Sequence, residues 1–138
     1  MPLDQYKHNL RRMAEIAHGR GAEVWFLTSP NAFVTDENRG QYDKFPQAPS
    51  AKLLLTFNAI PSFERLIEIH DSYNAATREV GAELGVPVID MDALYHQHSS
   101  EHLFTTTDVL HPTQQGHDLE AEALYGRLVT EGIVRPKL

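Results

Sequence analysis

The chain has 138 residues, 41% of them hydrophobic, which bounds it to one domain with a modest core. Its 12 basic and 19 acidic residues give a net charge of -7, which repels phosphate backbones and anionic headgroups and sets aside nucleic acid and membrane as partners. With no cysteine there is no disulfide framework, thiolate zinc site or thiol nucleophile; the amino terminus has no apolar signal core, so a soluble, cytoplasmic protein is expected.

From Asp4 to His18 the residues Tyr6, Leu10, Met13 and Ala17 recur at helical spacing, and Gly19 and Gly21 supply a stop. The chain therefore opens on an amphipathic helix. Glu23-Val24-Trp25-Phe26-Leu27-Thr28 is short, β-rich and apolar on both alternating faces, which suits a parallel strand covered on both sides and ending near Ser29-Pro30. Residues 31 to 60 hold Pro46, Pro49, Asn38 and Gly40 without a sustained period and read as a long excursion. Selectivity for a substrate is expected there.

A second, longer helix is predicted from Ser62 to Leu84 through Leu66, Ile69, Tyr73, Ala76, Val80 and Leu84, capped by Ser62 and stopped by Gly85. Val86-Pro87-Val88-Ile89-Asp90 follows as a second buried strand, with Asp90 at the carboxyl end pointing toward any ligand crevice. A helical turn over Met91 to Tyr95, a polar loop, and a last helix capped by Thr113 and running through Leu119, Ala123, Leu124 and Leu128 to Gly132 complete the chain. The alternation is that of an α/β fold with parallel strands and flanking helices.

The stretch that carries chemistry is Thr107-Asp108-Val109-Leu110-His111-Pro112-Thr113, just before the last helix. An Asp three residues before a His can accept a hydrogen bond from imidazole Nδ1 and leave Nε2 free to take a proton from a hydroxyl. The bland alternative is a pair of polar residues in an ordinary loop. Its setting, after a strand ending in Asp90, before an amphipathic helix and close to Gly116-His117, favours the catalytic reading.

In order, Tyr6-x-x-Asn9-Leu10, Gly21-Ala22-x-Val24-x-Phe26-Leu27-Thr28-x-Pro30, Tyr73-Asn74, Gly85-Val86-Pro87-Val88-Ile89-Asp90, Asp108-x-x-His111-Pro112-Thr113 and Gly116-His117 resemble the carboxyl-terminal half of the SGNH/GDSL hydrolase family. The resemblance implies a truncated flavodoxin-like three-layer fold, ester hydrolysis through a serine, and Asp108 and His111 as acid and base of the triad. It implies no cofactor. The family's Gly-Asp-Ser nucleophile segment and Gly-x-Asn-Asp oxyanion segment occur nowhere in this sequence.

Six serines remain: Ser29, Ser50, Ser62, Ser72, Ser99 and Ser100. Ser29 is the best substitute nucleophile because it stands at the carboxyl end of the first strand, and Asn31 on the same loop is a candidate oxyanion donor. Two other readings compete with the esterase. His96, His98, His102, Asp108, His111 and His117 could furnish a metallohydrolase site, although they are not placed on adjacent turns of a helix as in His-Glu-x-x-His and exposed His in a loop are common. The third reading is a truncated domain without catalysis that acts only by self-association. In either family reading the sheet edge beside residues 23–28 and the apolar Leu10, Met13, Trp25 and Phe26 lack neighbours, so a homodimer is expected.

Overall fold

A computed structural model describes residues 2–32, 63–98, 102–105 and 111–135. Asp108, Ser50, Ser62, Ser99, Ser100 and the excursion beyond Ala32 lie outside the described residues. The elements in chain order are α1 (Leu3–His18), β1 (Phe26–Leu27), α2 (Phe63–Leu84), β2 (Val88–Ile89), α3 (Met91–Gln97) and α4 (Gln114–Thr130). The strands are parallel, with Phe26 opposite Val88 and Leu27 opposite Ile89. Phe26 N donates to Pro87 O at 2.9 Å and Thr28 N to Ile89 O at 3.2 Å. The chain is thus a mixed helix and strand protein around a small parallel sheet.

The first helix forms where its period predicts it, but its buried stripe is Leu10 and Ala14, and Met13 is 55% exposed. The reason lies in its partner. Lys7 pairs with Glu79 and Arg11 with Glu83, both at 2.6 Å, so α1 runs parallel to α2 and turns residues 6, 10 and 14 toward it. Ala14 permits the close approach that Met13 would block. Tyr6 packs edge-on against Tyr73 at 4.8 Å and shares a 2.8 Å hydrogen bond with Thr77.

Leu10, Ala14, Phe26, Val80 and Val86 form one apolar cluster. Each large side chain buried there is worth about 1.5–3 kcal/mol, so this cluster outweighs the two exposed ion pairs beside it. It also corrects an expectation: Leu10 and Phe26 find their neighbours within the described chain. Gly81 is buried in α2 because a Cβ there would collide with Val88 Cγ2 and crowd Val86 O at 3.1 Å. Gly85, at φ 65°, ends the helix in the left-handed region, and Val86 N returns to Gly81 O at 2.9 Å.

The second face of the sheet is covered differently from the sequence expectation. Leu27 is 47% exposed, so β1 is not buried on both faces. In α4 only Gly116 is buried, and Leu119, Ala123, Leu124 and Leu128 are half-buried, a looser contact than their spacing suggests. Both α1 and α2 pack on the Phe26 side, which leaves α4 as the element facing the other.

Candidate functional site

Four polar residues, Thr28, Arg78, Asp90 and Asp92, converge where the strands end. Thr28 Oγ1 donates to Asp90 Oδ1 at 2.8 Å and accepts from Asp92 N at 3.0 Å. Arg78 reaches across from α2, donating from Nε to Asp90 Oδ2 at 2.7 Å and from Nη2 to Asp90 Oδ1 at 2.7 Å and Asp92 Oδ2 at 2.8 Å. Asp90 also caps α3, accepting from Ala93 N at 3.2 Å. The Arg78 guanidinium pulls the Asp90 carboxyl down to about 2 against the opposing effect of burial, and the two carboxylates hold Arg78 firmly charged. Asp90 therefore ties β2, α2 and α3 together.

Ser29 comes next in the chain and is exposed, while its backbone is clamped. Ser29 N donates to Asn74 Oδ1 at 2.9 Å, and Asn74 Nδ2 donates back to Ser29 O at 2.9 Å. The buried Asn74 carboxamide thus acts as a substitute strand, satisfying both backbone groups of one residue and fixing where its hydroxyl emerges. Asn31 is buried, with Nδ2 2.7 Å from His70 Nδ1. One hydrogen of its amide is committed there, and the oxyanion donor expected of Asn31 would have to come from the other.

His111 is exposed, on a loop pinned by its backbone. Thr105 N donates to His111 O at 3.3 Å, Thr113 N donates to Leu103 O at 2.8 Å, and Phe104 and Pro112 form an antiparallel bridge. Thr113 caps α4 as expected, its hydroxyl accepting from Gly116 N at 3.2 Å. A Cβ at Gly116 would come within 2.5 Å of Leu103 O and 2.9 Å of Tyr95 Oη, so only glycine lets α4 start this close to the loop and to α3.

The first turns of α4 then reach the strand end. Leu27, Ser29, Pro30, Met91, His117 and Leu124 are among the residues lining an open groove of about 520 Å³. His117 Nδ1 lies 3.3 Å from Glu120 Oε2, and Glu120 Oε1 accepts from Tyr95 Oη at 2.9 Å. Burial and the Glu120 carboxylate together hold the Tyr95 phenol well above its ordinary range, so it donates at any ordinary pH. Among the described residues no three His, Asp or Glu side chains are grouped to hold a metal ion; His96 stands 4.0 Å from Asp92, and His117 serves Glu120. No described helix is long and apolar enough to cross a membrane.

Sequence reasoning passed over His70 and Arg78, and met Asn74 only through the resemblance. A signal was present: His70, Asn74 and Arg78 stand at i, i+4 and i+8, a polar line along one side of the helix. It was hidden because a polar line on a long helix ordinarily faces water.

A small parallel sheet flanked by helices makes this an α/β protein. The chain belongs to the GDSL-like lipase/acylhydrolase family, which matches it over residues 1–119. Comparison with curated proteins and with solved structures found no match.

Proposed function

We propose that the chain is a carboxylic ester hydrolase for small or aryl esters, with Ser29 as nucleophile, His111 as general base and Asp108 as its orienting partner. Membership of an acylhydrolase family supports ester hydrolysis. The observation that carries the choice of Ser29 is its clamp: Asn74 immobilises the backbone on both sides while the exposed side chain borders the groove. A nucleophile must be held this firmly for attack to be effectively unimolecular. In this reading Ser29 Oγ adds to the ester carbonyl as His111 Nε2 takes its proton, and the imidazolium returns that proton to the departing alkoxide. Water then attacks the acyl carbonyl as His111 again accepts a proton, the bond to Ser29 Oγ breaks to release the acid, and the imidazolium returns its proton to Ser29 Oγ. The flavodoxin-like three-layer architecture belongs to the same reading, with α1 and α2 on one side of the sheet and α4 on the other.

A fluorophosphonate probe is expected to add one label per chain at Ser29, located by peptide mass spectrometry, and Ser29→Ala is expected to lose it. EDTA should leave both labelling and hydrolysis unchanged. A label on another serine moves the role there, and inactivation by the chelator favours a metal site.

The partner we propose is a second copy of this chain, across the edge of β1 that faces away from β2. Exposed Met13 and Ile16 support it, because a sheet with two strands among the described residues and bare apolar neighbours is marginal alone. Sedimentation equilibrium at micromolar concentration should give twice the 15.6 kDa chain mass. A folded species at the single-chain mass rejects the dimer.

A further inference from the structure

We infer, building on the reading of Ser29 as nucleophile, that the groove beside it takes an ester bearing a free hydroxyl group, which donates to His117 Nε2. Most polar atoms on the groove walls are already engaged. Thr28 Oγ1 donates to Asp90 and accepts from Asp92 N. Ser29 N and O are both held by Asn74, and Pro30 has no N–H. Glu120 offers one carboxylate oxygen to Tyr95 Oη at 2.9 Å and the other to His117 Nδ1, 3.3 Å away. Apart from the Ser29 hydroxyl, the side-chain polar atom of the groove that has no partner among the described residues is His117 Nε2.

An ionised carboxylate only accepts, so Glu120 keeps the proton of the neutral His117 ring on Nδ1 and leaves the Nε2 lone pair as an acceptor. An exposed pair three residues apart on a helix is ordinarily a loose contact, but this one is braced from behind. The phenol of buried Tyr95 holds the second oxygen of Glu120 and so restrains the carboxylate that orients the ring. Gly116 makes room for the brace, since a Cβ there would stand 2.9 Å from Tyr95 Oη. The remaining walls, Leu27, Pro30, Met91, Ala121 and Leu124, are apolar. A ligand that fits is therefore apolar over most of its surface and carries one donor. The Glu120 charge disfavours a carboxylate there, and an ammonium would bring three donors to a single acceptor. A hydroxyl brings one.

Two ester pairs, each exchanging a hydroxyl for a methyl of similar size, test the inference. Set against propyl butyrate, 2-hydroxyethyl butyrate carries the hydroxyl on the alcohol; set against methyl 3-methylbutyrate, methyl 3-hydroxybutyrate carries it on the acyl group. For at least one pair, the ratio of kcat/KM values, hydroxyl over methyl, is expected to fall about three- to tenfold in His117→Phe, the worth of one partly solvated hydrogen bond. The pair that responds shows which half of the ester lies against His117. In His117→Gln, whose Oε1 can accept in place of the ring nitrogen, the ratio should stay within about twofold of the parent. A ratio unchanged within about twofold in His117→Phe for both pairs, or an equal fall in His117→Gln, overturns the inference. Should the unaltered chain hydrolyse none of the four esters, the Ser29 reading fails and binding of the same pairs, followed through the Ala121 and Leu124 amide signals, decides the site by itself. A hydroxyl member bound more tightly than its methyl counterpart, with the difference lost in His117→Phe, sustains it, and equal or absent binding rejects it.

Discussion

Replacing His111 with alanine is expected to lower hydrolysis of a short-chain aryl ester by about three orders of magnitude or more, with the folded state unchanged. The two halves of this outcome have separate causes. The His111 side chain is exposed, whereas the loop is held through the His111 carbonyl, the Phe104–Pro112 bridge and Thr113. Alanine keeps every one of those backbone contacts. What it removes is the group that accepts the serine proton in the proposed reading. Asp108→Asn should act in the same direction by stabilising the wrong imidazole tautomer. Activity within about tenfold of the parent, with an unchanged circular dichroism spectrum, would remove His111 from the base role.

Arg78→Ala is expected to be the most damaging single change to stability among the polar residues of the strand ends. Arg78 is the cation shared by Asp90 and Asp92, and the Asp92 side chain is only 10% exposed. Stripping the partner from a fully buried ion pair costs about 3–5 kcal/mol. Arg78 and Asp90 are 39% and 37% exposed, so solvent screens part of that loss, and about 2 kcal/mol is the expected value. Trp25, the single tryptophan, lies just before β1 and reports unfolding in urea.

The pH dependence of this variant carries a second signature. The folded Asp90 carboxyl is lowered from 3.8 to about 2, so its contribution is complete above about pH 4 and disappears as pH falls through about 2. Without Arg78 most of that acid-sensitive increment is absent, and the stability curves of the two proteins should converge as pH falls to about 2. A urea midpoint within the equivalent of about 0.5 kcal/mol of the parent at pH 7 would show that Asp90 and Asp92 are held by something else.

The helices and strands were legible in the chain because each rests on local chemistry. The helix α1, the Gly85 stop and the Thr113 cap are decided by neighbours within a few residues and stand where they were read, whereas the strands read over 23–28 and 86–90 shorten to Phe26–Leu27 and Val88–Ile89. Which face of each element is buried was not legible. Tyr6, Leu10 and Met13 fit one helical stripe as well as Tyr6, Leu10 and Ala14 do, and only the parallel packing of α2 selects the second. Leu27 and Phe26 are equally apolar, yet one is exposed and the other buried because α1 and α2 share one side of the sheet.

The same division runs through the candidate site. The sequence alone marked Asp108-x-x-His111 and the position of Ser29, since both follow from residue type and from the end of a strand. It could not assign Asn74 to the Ser29 backbone or His70 to Asn31, partners 45 and 39 residues apart. Nor could it pair Asp90 with Arg78, which arrives from α2. Local spacing determines a dihedral preference or a cap, whereas a hydrogen bond between distant segments exists only after the sheet and helices have packed.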